Sequence, residues 1–180
     1  MDDHVIDCCS LLNLYTGWGG LAELRVLRRT WHVCDAVLSE AEYTREYAAD
    51  GTQVSVPIDI KALVNEGLLL AIRPETEREL EDFIGFASEV DDGEAQALAI
   101  AKNRGYVLLT DDRKAAAVAR RPEVGVRVVS TASILQSWGQ LDRANETRLR
   151  EVVTRISVLA RFAPRVDAAE YAWWRTYFSG

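Results

Sequence analysis

Acidic side chains follow two short apolar runs in this chain of 180 residues. Asp7 comes directly after an apolar pair, and Asp111 and Asp112 come just after the apolar run 107–109. If both runs are strands of an open α/β sheet, the acids lie where such sheets bind ligands, outside the carboxyl ends of the strands. They are therefore candidates for one shared site.

Two glutamates are further candidates for this site. Glu94 begins a predicted Ala-rich helix that leads into run 107–109, and Glu40 lies one turn inside a helix predicted after residues 31–34. Clustered carboxylates raise one another's pKa, and such a cluster is tolerated when a divalent cation lies among its oxygens. Carboxylate oxygens suit Mg²⁺ or Mn²⁺, and an ion held in this way commonly promotes hydrolysis of a phosphodiester.

Each acid also has a purely structural interpretation. Aspartate is favoured at the start of a helix as an N-cap and by the helix dipole, which is an alternative account of Asp111. Glu40 has Glu42 and Glu46 close by, and most helical glutamates are solvated. The functional interpretation rests on the recurrence of these acids at strand ends and helix starts.

Apolar runs alternate with amphipathic segments along most of the chain, and these elements must position the acids. Strands are predicted at residues 5–6, 31–34, 68–72, 106–109 and 126–129, and the main helices at residues 35–49, 75–88, 94–104, 113–120, 130–138 and 145–161. Residues 53–56 alternate only weakly. The alternation predicts an α/β fold whose central sheet is mostly parallel and covered on both faces.

The helix predicted at residues 75–88 is amphipathic, with Leu80, Phe83, Ile84 and Ala87 on its inward face. It also explains the charge of the chain. The total is −7, from 21 basic and 28 acidic residues, which argues at first against a nucleic-acid partner. Residues 75–94 contain nine acids and one arginine, so the rest of the chain carries 20 basic and 19 acidic side chains, a net of +1. A nucleic acid is expected to approach away from this helix.

Residues 141–180 are predicted to form a helical extension of a domain made by residues 1–140. Five residues of helix 145–161 are expected to face inward: Leu149, Val152, Val153, Ile156 and Leu159. The tail after residue 164 is aromatic, with Tyr171, Trp173, Trp174, Tyr177 and Phe178. It is predicted to pack on the domain or on a partner, and the apolar surface of the extension favours a homodimer.

Cysteine content and segment hydrophobicity indicate the compartment. The three cysteines, Cys8, Cys9 and Cys34, are too few and too close in sequence for a disulfide framework. The chain shows neither the pattern of a signal peptide nor an apolar run long enough to span a membrane. A reduced, cytoplasmic protein without a membrane partner is therefore expected.

Four segments of the chain resemble the PIN-domain nucleases, especially the VapC-type ribonuclease toxins and their relatives. The segments are residues 5–14, 37–41, 93–101 and 108–115, within a region of roughly residues 3–130. The most specific part is Gly93-Glu94-Ala95, followed about 15 residues later by Leu-Leu-Thr-Asp-Asp at 108–112.

This resemblance implies a three-layer α/β/α fold with a parallel sheet and metal-dependent cleavage of single-stranded RNA. Carried over by position, the catalytic acids would be Asp7, Glu40, Glu94 and Asp112, and the metal ligands, for Mg²⁺ or Mn²⁺, would come from Asp7, Glu94, Asp112 and Asp111. Asn13 would help to hold the site, and Thr110 would flank the metal. The basic pair Arg113 and Lys114 is placed to contact the scissile phosphate. The toxin relationship further implies a cognate antitoxin that covers the acidic pocket, often with a basic side chain.

Three positions leave alternatives open. Glu42 replaces Glu40 if the helix register is shifted, and Asp111 replaces Asp112 if the other acid of the pair faces the site. Cys9 stands where the family often has serine or threonine, and a thiol is a poorer hydrogen-bond partner than a hydroxyl. A catalytically weak PIN-like module that binds protein or RNA is therefore the alternative function.

Overall fold

The computed structural model describes residues 2–141 and 146–178. In chain order its strands are β1 (Asp3–Ile6), β2 (Thr30–Cys34), β3 (Tyr43–Tyr47), β4 (Gln53–Pro57), β5 (Leu70–Ile72), β6 (Val107–Leu109) and β7 (Val128–Val129). Its α-helices are α1 (Cys8–Trp18), α2 (Asp35–Glu40), α3 (Ile60–Asn65), α4 (Glu77–Ala87), α5 (Asp92–Arg104), α6 (Arg113–Ala119), α7 (Thr131–Leu141), α8 (Glu146–Arg155) and α9 (Tyr171–Tyr177). Short 3₁₀ and π-helical turns cover Ala22–Arg25 and Ile156–Ala160.

A parallel sheet of order β5-β2-β1-β6-β7 forms the centre of the described structure. Its central strands are largely apolar and are buried on both faces: Val5, Ile6 and Leu109 are fully inaccessible, and His4 and His32 are buried polar residues. Burial on both faces is the usual condition of parallel strands, whose crossover helices cover the sheet. The mostly parallel sheet flanked by helices agrees with the α/β/α architecture expected from the sequence.

Helix α5 packs against β1 and α4 and is buried around most of its circumference. Ala95, Ala97 and Ala99 are completely inaccessible, and such small side chains allow a close approach to both neighbours. The helix ends at Gly105, whose φ of +70° places it in the left-handed conformation that commonly follows a helix. The close packing of α5 therefore fixes the position of Glu94, in its first turn, relative to the sheet.

The prediction of one helix over residues 35–49 was wrong. α2 ends at Glu40, and residues 43–57 form the antiparallel hairpin β3–β4, in which Tyr43 pairs with Pro57. Aromatic and β-branched residues in this stretch favour extended backbone. Tertiary contact also contributes, because the hydroxyl groups of Thr44 and Thr16 lie 2.6 Å apart in a buried hydrogen bond.

The inward face predicted for residues 75–88 is also wrong in part. Leu80 and Ile84 of α4 are 47% and 71% exposed, whereas Glu79 and Phe86 are buried. The buried face is rotated because Glu79 forms an ion pair with Arg104 of α5. Ion-paired acids can occupy a buried helix face, and an apolar pattern does not reveal them.

The predicted inward residues of the C-terminal helix are confirmed in α8 and the π-helical turn, since all five are buried. The predicted start at Asn145 lies outside the described residues. α8 packs on α1, where Gly17 leaves no room for a side chain: a Cβ there would lie 2.6 Å from Ile156 Cδ1. In the tail, Trp174 is buried and donates a hydrogen bond to Ser157 Oγ at 3.2 Å. The division of the chain near residue 140 stays a prediction.

Across residues 2–141 and 146–178, none of the helices has both the length and the apolar character needed to cross a bilayer.

Candidate functional site

The carboxyl ends of β1 and β6 bring the first group of acids together. Ile6 pairs with Leu109 across these neighbouring strands, and the Asp7 backbone N–H donates to the Leu109 carbonyl at 3.0 Å. Asp7 and the segment 110–112 therefore leave the sheet side by side. This confirms that the acids after the two apolar runs share one edge of the sheet.

Asp7 is the most deeply buried of these acids, with 1% of its surface exposed. It caps α1: Oδ1 accepts a hydrogen bond from the Ser10 backbone N–H at 2.7 Å. Oδ2 is buried and finds no hydrogen-bond partner among the described residues. Burial, with a further contribution from the charge of Asp111, raises the pKa of Asp7 from 3.8 to about 6. A buried carboxylate oxygen without a donor is a ligand atom available to a cation.

Glu94 faces the same region from the first turn of α5. Partial burial is the main reason that its pKa rises from 4.5 to about 7, and the negative charges of Asp112 and Asp7 add to the shift. Mutual repulsion of this kind means that the three acids, from three separate elements, share one electrostatic environment. Among the described residues none of the three forms a salt bridge with a basic side chain.

Asp111 and Asp112 are adjacent but make different contacts. Asp111 Oδ1 accepts from the Thr131 backbone N–H at 2.9 Å, and its Oδ2 accepts from the Thr131 hydroxyl and from Asn13 Nδ2, the latter at 2.9 Å. Both oxygens of Asp111 are thus used to tie β6 to α1 and α7. Asp112 caps α6 through Oδ1, which accepts from the Lys114 and Ala115 backbone N–H groups at 2.6 and 2.8 Å. Its Oδ2 has no protein donor in the described part of the chain.

Asn13 and Thr110 support the two aspartates and do not line up as ligands. Asn13 holds Asp111, as described above, and Thr110 Oγ1 accepts from the Asp112 backbone N–H at 3.0 Å. Both side chains are buried. Asn13 therefore fixes the carboxylate of Asp111, and its role in holding the site stays a prediction.

Glu40 approaches the cluster from its rim. Its Oε2 lies 3.0 Å from the position that a Cβ would take on Gly93, so the glycine leaves room for this carboxylate beside the first turn of α5. Partial burial and the charges of Asp91 and Asp92 raise the pKa of Glu40. Glu42, the alternative, is exposed and stands at the start of the hairpin, where its carbonyl accepts from the Ile58 N–H.

Cys9 lies close enough to the four acids of the site for the charge of each to act on its thiol. Burial is the main cause that raises the pKa of its thiol to about 11, and the charges of Asp7, Glu94, Asp111 and Asp112 all contribute. The thiol is therefore neutral at physiological pH and supplies neither charge nor a strong hydrogen-bond donor. The four acids that act on it are those that the sequence placed at the metal.

The donor set fits a hard divalent cation, although the side chains are not already gathered as ligands. Within the described residues, no group of three or more His, Cys, Asp and Glu side chains has a geometry that holds a metal ion. Among the described residues Asp7 Oδ2 nevertheless has no hydrogen-bond partner and Asp112 accepts hydrogen bonds only through Oδ1, and the charges of both acids act on Glu94. Oxygen-only ligands of this type select Mg²⁺ or Mn²⁺ over softer ions.

Two grooves flank Asp112. One, of about 550 Å³, lies between α1 and the hairpin β3–β4 and is lined in part by Tyr43 and Arg45. The other, of about 670 Å³, lies between α6 and the segment after the π-helical turn and is lined in part by Arg113 and Arg120. The exposed Lys114 lines neither groove, and its charge helps to lower the pKa of Glu89. Its contact with the scissile phosphate stays a prediction. Sequence reasoning missed the hairpin residues because it assigned them to a helix.

Comparison with known protein families decides the identity of this fold. A family model described as a PIN domain matches residues 3–166. The chain belongs to the PIN-domain family. The match includes α8, and the family assignment agrees with the parallel sheet and with the resemblance found in the sequence. No curated protein matches the chain significantly. PIN domains are generally nucleases and typically use divalent metals, so a nuclease-like function is the coarse conclusion.

Proposed function

We propose that this PIN domain is a divalent-metal-dependent endoribonuclease that cleaves phosphodiester bonds of single-stranded RNA. The observation that carries the proposal is the convergence of Asp7, Glu94 and Asp112, three acids from three elements without a basic partner in the described structure. Acids that merely stabilise a fold are normally paired or fully hydrogen-bonded. Here the negative charges of Asp112 and Asp7 instead help to raise the pKa of Glu94, which is the expected state of a cation site before the cation binds.

In the proposed site, Asp7, Glu94 and Asp112 hold Mg²⁺ or Mn²⁺, and Glu40 completes the cluster from its rim. The ion, when bound, lowers the pKa of water and stabilises negative charge on the phosphate oxygens. Asp111 acts as a positioning residue, because its hydrogen bonds fix α1 and α7 relative to the end of β6. Arg113, exposed at the start of α6 and in the groove beside Asp112, contacts the substrate phosphates.

The test is RNA cleavage by the purified full chain with Mg²⁺ or Mn²⁺, compared with Asp7→Asn. Asparagine keeps the helix cap and removes the charge. Asp50→Asn is a matched control, since Asp50 is an exposed acid in the turn of the hairpin. Wild type and Asp50→Asn should cut single-stranded RNA, and Asp7→Asn should not. Equal cleavage by all three, or by none, contradicts the proposal.

The toxin role is a finer part of the same proposal. We propose a cognate antitoxin that places a basic side chain among Asp7, Glu94 and Asp112. Positive charge is favourable there whether a metal ion or a basic side chain supplies it. We also propose a cytoplasmic location, supported by three free cysteines. A homodimer stays a prediction, although the apolar residues of α8 that suggested it pack inside the subunit.

Cys9 favours one second candidate, a catalytically weak module that binds RNA or protein. Its neutral thiol lies among the four acids in place of a hydroxyl. Calorimetric titration separates the two functions. Mn²⁺ binding by wild type supports the nuclease, whereas RNA binding without detectable Mn²⁺ binding supports the module.

A further inference from the structure

The groove between α1 and the hairpin β3–β4 opens directly onto the acids of the site. Asp112 and Cys9 line one side of it, and Tyr43 and Arg45 of β3 line the other. Leu12 and Phe162 give it an apolar floor. Its volume of about 550 Å³ falls in the range of sites that bind a small molecule. A substrate bound at the acids would therefore extend into this groove.

The hairpin is held in a fixed position beside α1. Thr44 points inward to the hydroxyl of Thr16, and the two oxygens lie 2.6 Å apart in a buried contact. Arg155 of α8 donates to the Thr16 carbonyl at 2.9 Å and lies 3.7 Å from the Glu46 carboxylate. Inward-facing residues of β3 thus anchor the strand, and Tyr43 and Arg45 of the same strand line one groove together with Asp112.

Tyr43 and Arg45 occupy the outward face of β3, two residues apart. Tyr43 is 59% exposed, which is unusual for so large a ring. Within the described residues, Arg45 forms no ion pair, in contrast to the neighbouring Glu46. An exposed aromatic ring beside an unpaired guanidinium offers a stacking surface and a phosphate contact on one strand.

We propose that the hairpin β3–β4 is the nucleotide-binding arm of this nuclease: a base next to the cleaved bond stacks on Tyr43, and Arg45 contacts the phosphate beside it. The proposal rests on the proposed function. It also accounts for strand preference, because a base within a duplex is not free to stack on a side chain. RNA is favoured over a protein segment as the occupant because the groove combines an aromatic ring with a guanidinium that has no ion pair among the described residues, and both lie beside Asp112.

The test uses a fluorescein-labelled single-stranded RNA of mixed sequence and the full chain carrying Asp7→Asn, so that bound RNA is not cut. Adding Tyr43→Ala should weaken binding roughly ten- to hundred-fold, the range for loss of one base stack. Tyr43→Phe should restore it. Adding Arg45→Ala should reduce the slope of log affinity against log salt by about 0.7, the value for one phosphate contact to a single strand.

Two matched controls separate this arm from general surface effects. Tyr47 is an exposed tyrosine on the same strand, but it borders a different depression beside α8. Arg127 is an exposed arginine just before the edge strand β7, where it pairs with Asp2, and it lines neither groove beside Asp112. Tyr47→Ala and Arg127→Ala should leave RNA affinity and its salt dependence unchanged.

The outcomes distinguish the arm from the proposed function. If the wild type cuts RNA but Tyr43→Ala and Arg45→Ala bind and cut like the two controls, the arm is refuted and the nuclease stands. The same conclusion follows if these variants lose a protein partner and keep full RNA affinity. If the wild type cuts no RNA and the Asp7→Asn chain binds none, both proposals fail together.

Discussion

Two groups of acids in this molecule have pKa values that are shifted in opposite directions. On α4, Glu79 accepts a hydrogen bond from Arg104 Nε at 2.6 Å, and Asp82 accepts one from Lys102 Nζ at 2.6 Å. The pKa of Glu79 falls to about 2, chiefly through its bond to Arg104. At the carboxyl edge of the sheet, burial is the main cause that raises the pKa of Asp7 to about 6 and of Glu94 to about 7, and the charges of neighbouring aspartates add to both shifts.

The opposite shifts distinguish acids that stabilise the folded state from acids that destabilise it. A group whose pKa is lowered in the folded state stabilises that state when ionised, and a group whose pKa is raised destabilises it when ionised. The α4 acids therefore contribute to stability at neutral pH. The acids at the sheet edge oppose it, which is the pattern of a site whose charge serves a ligand.

The largest expected difference between the two groups is in the effect of a substitution on RNA cleavage. Glu94→Gln removes a proposed metal ligand, and we expect RNA cleavage with Mn²⁺ to fall by about a thousand-fold, in line with several kcal/mol of charge stabilisation supplied by a metal. Glu79→Gln should retain wild-type activity per folded molecule at a temperature where it is folded. Single-turnover cleavage assays measure both. Equal loss in the two variants would remove the distinction between the groups.

Next in size is the stability of the α4 group. Glu79→Gln keeps the capping geometry with Thr76 but removes the charge that faces Arg104. Because the pKa of Glu79 lies at about 2 against an ordinary 4.5, its ionised form is worth about 3 kcal/mol at pH 7. That contribution is present above pH 4.5 and is lost as the pH falls toward 2. Urea unfolding should therefore show a loss at pH 7 that shrinks at pH 3.

The same acids show why the sequence predicted the site better than the surface around it. Asp7 and Asp112 follow apolar strands, so their place at one edge follows from local pattern and sheet geometry. The rotation of α4 depends on Glu79 meeting Arg104, 25 residues away in sequence, and no apolar period encodes that contact. The hairpin was missed for a similar reason, since Thr44 is fixed by Thr16, 28 residues earlier.

Position also could not separate Asp111 from Asp112. Both follow β6 and both suit a helix start, so the residue types are equivalent in sequence. Their roles diverge through contacts with Asn13 and Thr131, which belong to α1 and α7. Such a choice depends on elements that are distant in the chain and becomes visible only when they are assembled.

A stabilising substitution is expected in the second group. In the absence of metal, Asp7→Asn should raise the free energy of unfolding at pH 8 by about 3 kcal/mol, because it removes a buried charge whose pKa is raised from 3.8 to about 6. The wild-type Asp7 contributes stability below pH 3.8 and loses it as the pH rises through 6. The advantage of the variant should thus be large at pH 8 and small at pH 4. A variant less stable than wild type at pH 8 contradicts this account.

The smallest effect concerns proton and metal competition. Mn²⁺ must displace the protons of Asp7 and Glu94 to bind, since only the carboxylate forms are ligands. Glu94 titrates near pH 7 and Asp7 near pH 6, so the affinity for Mn²⁺ should fall as the pH drops below 7. Each displaced proton contributes about ten-fold per pH unit once the pH is below the pKa of its group.

Calorimetry in two buffers of different ionisation enthalpy counts the protons directly. Between pH 6 and 7 the release should approach one proton per Mn²⁺, and it should increase toward two below pH 6. Glu94→Gln should lower the count by one, whereas Glu79→Gln should leave it unchanged, because Glu79 is already ionised at these pH values. An affinity that does not vary between pH 5 and 8 would mean that the ion binds away from these acids. The raised pKa values at the sheet edge would then reflect burial alone and would not support a metal site.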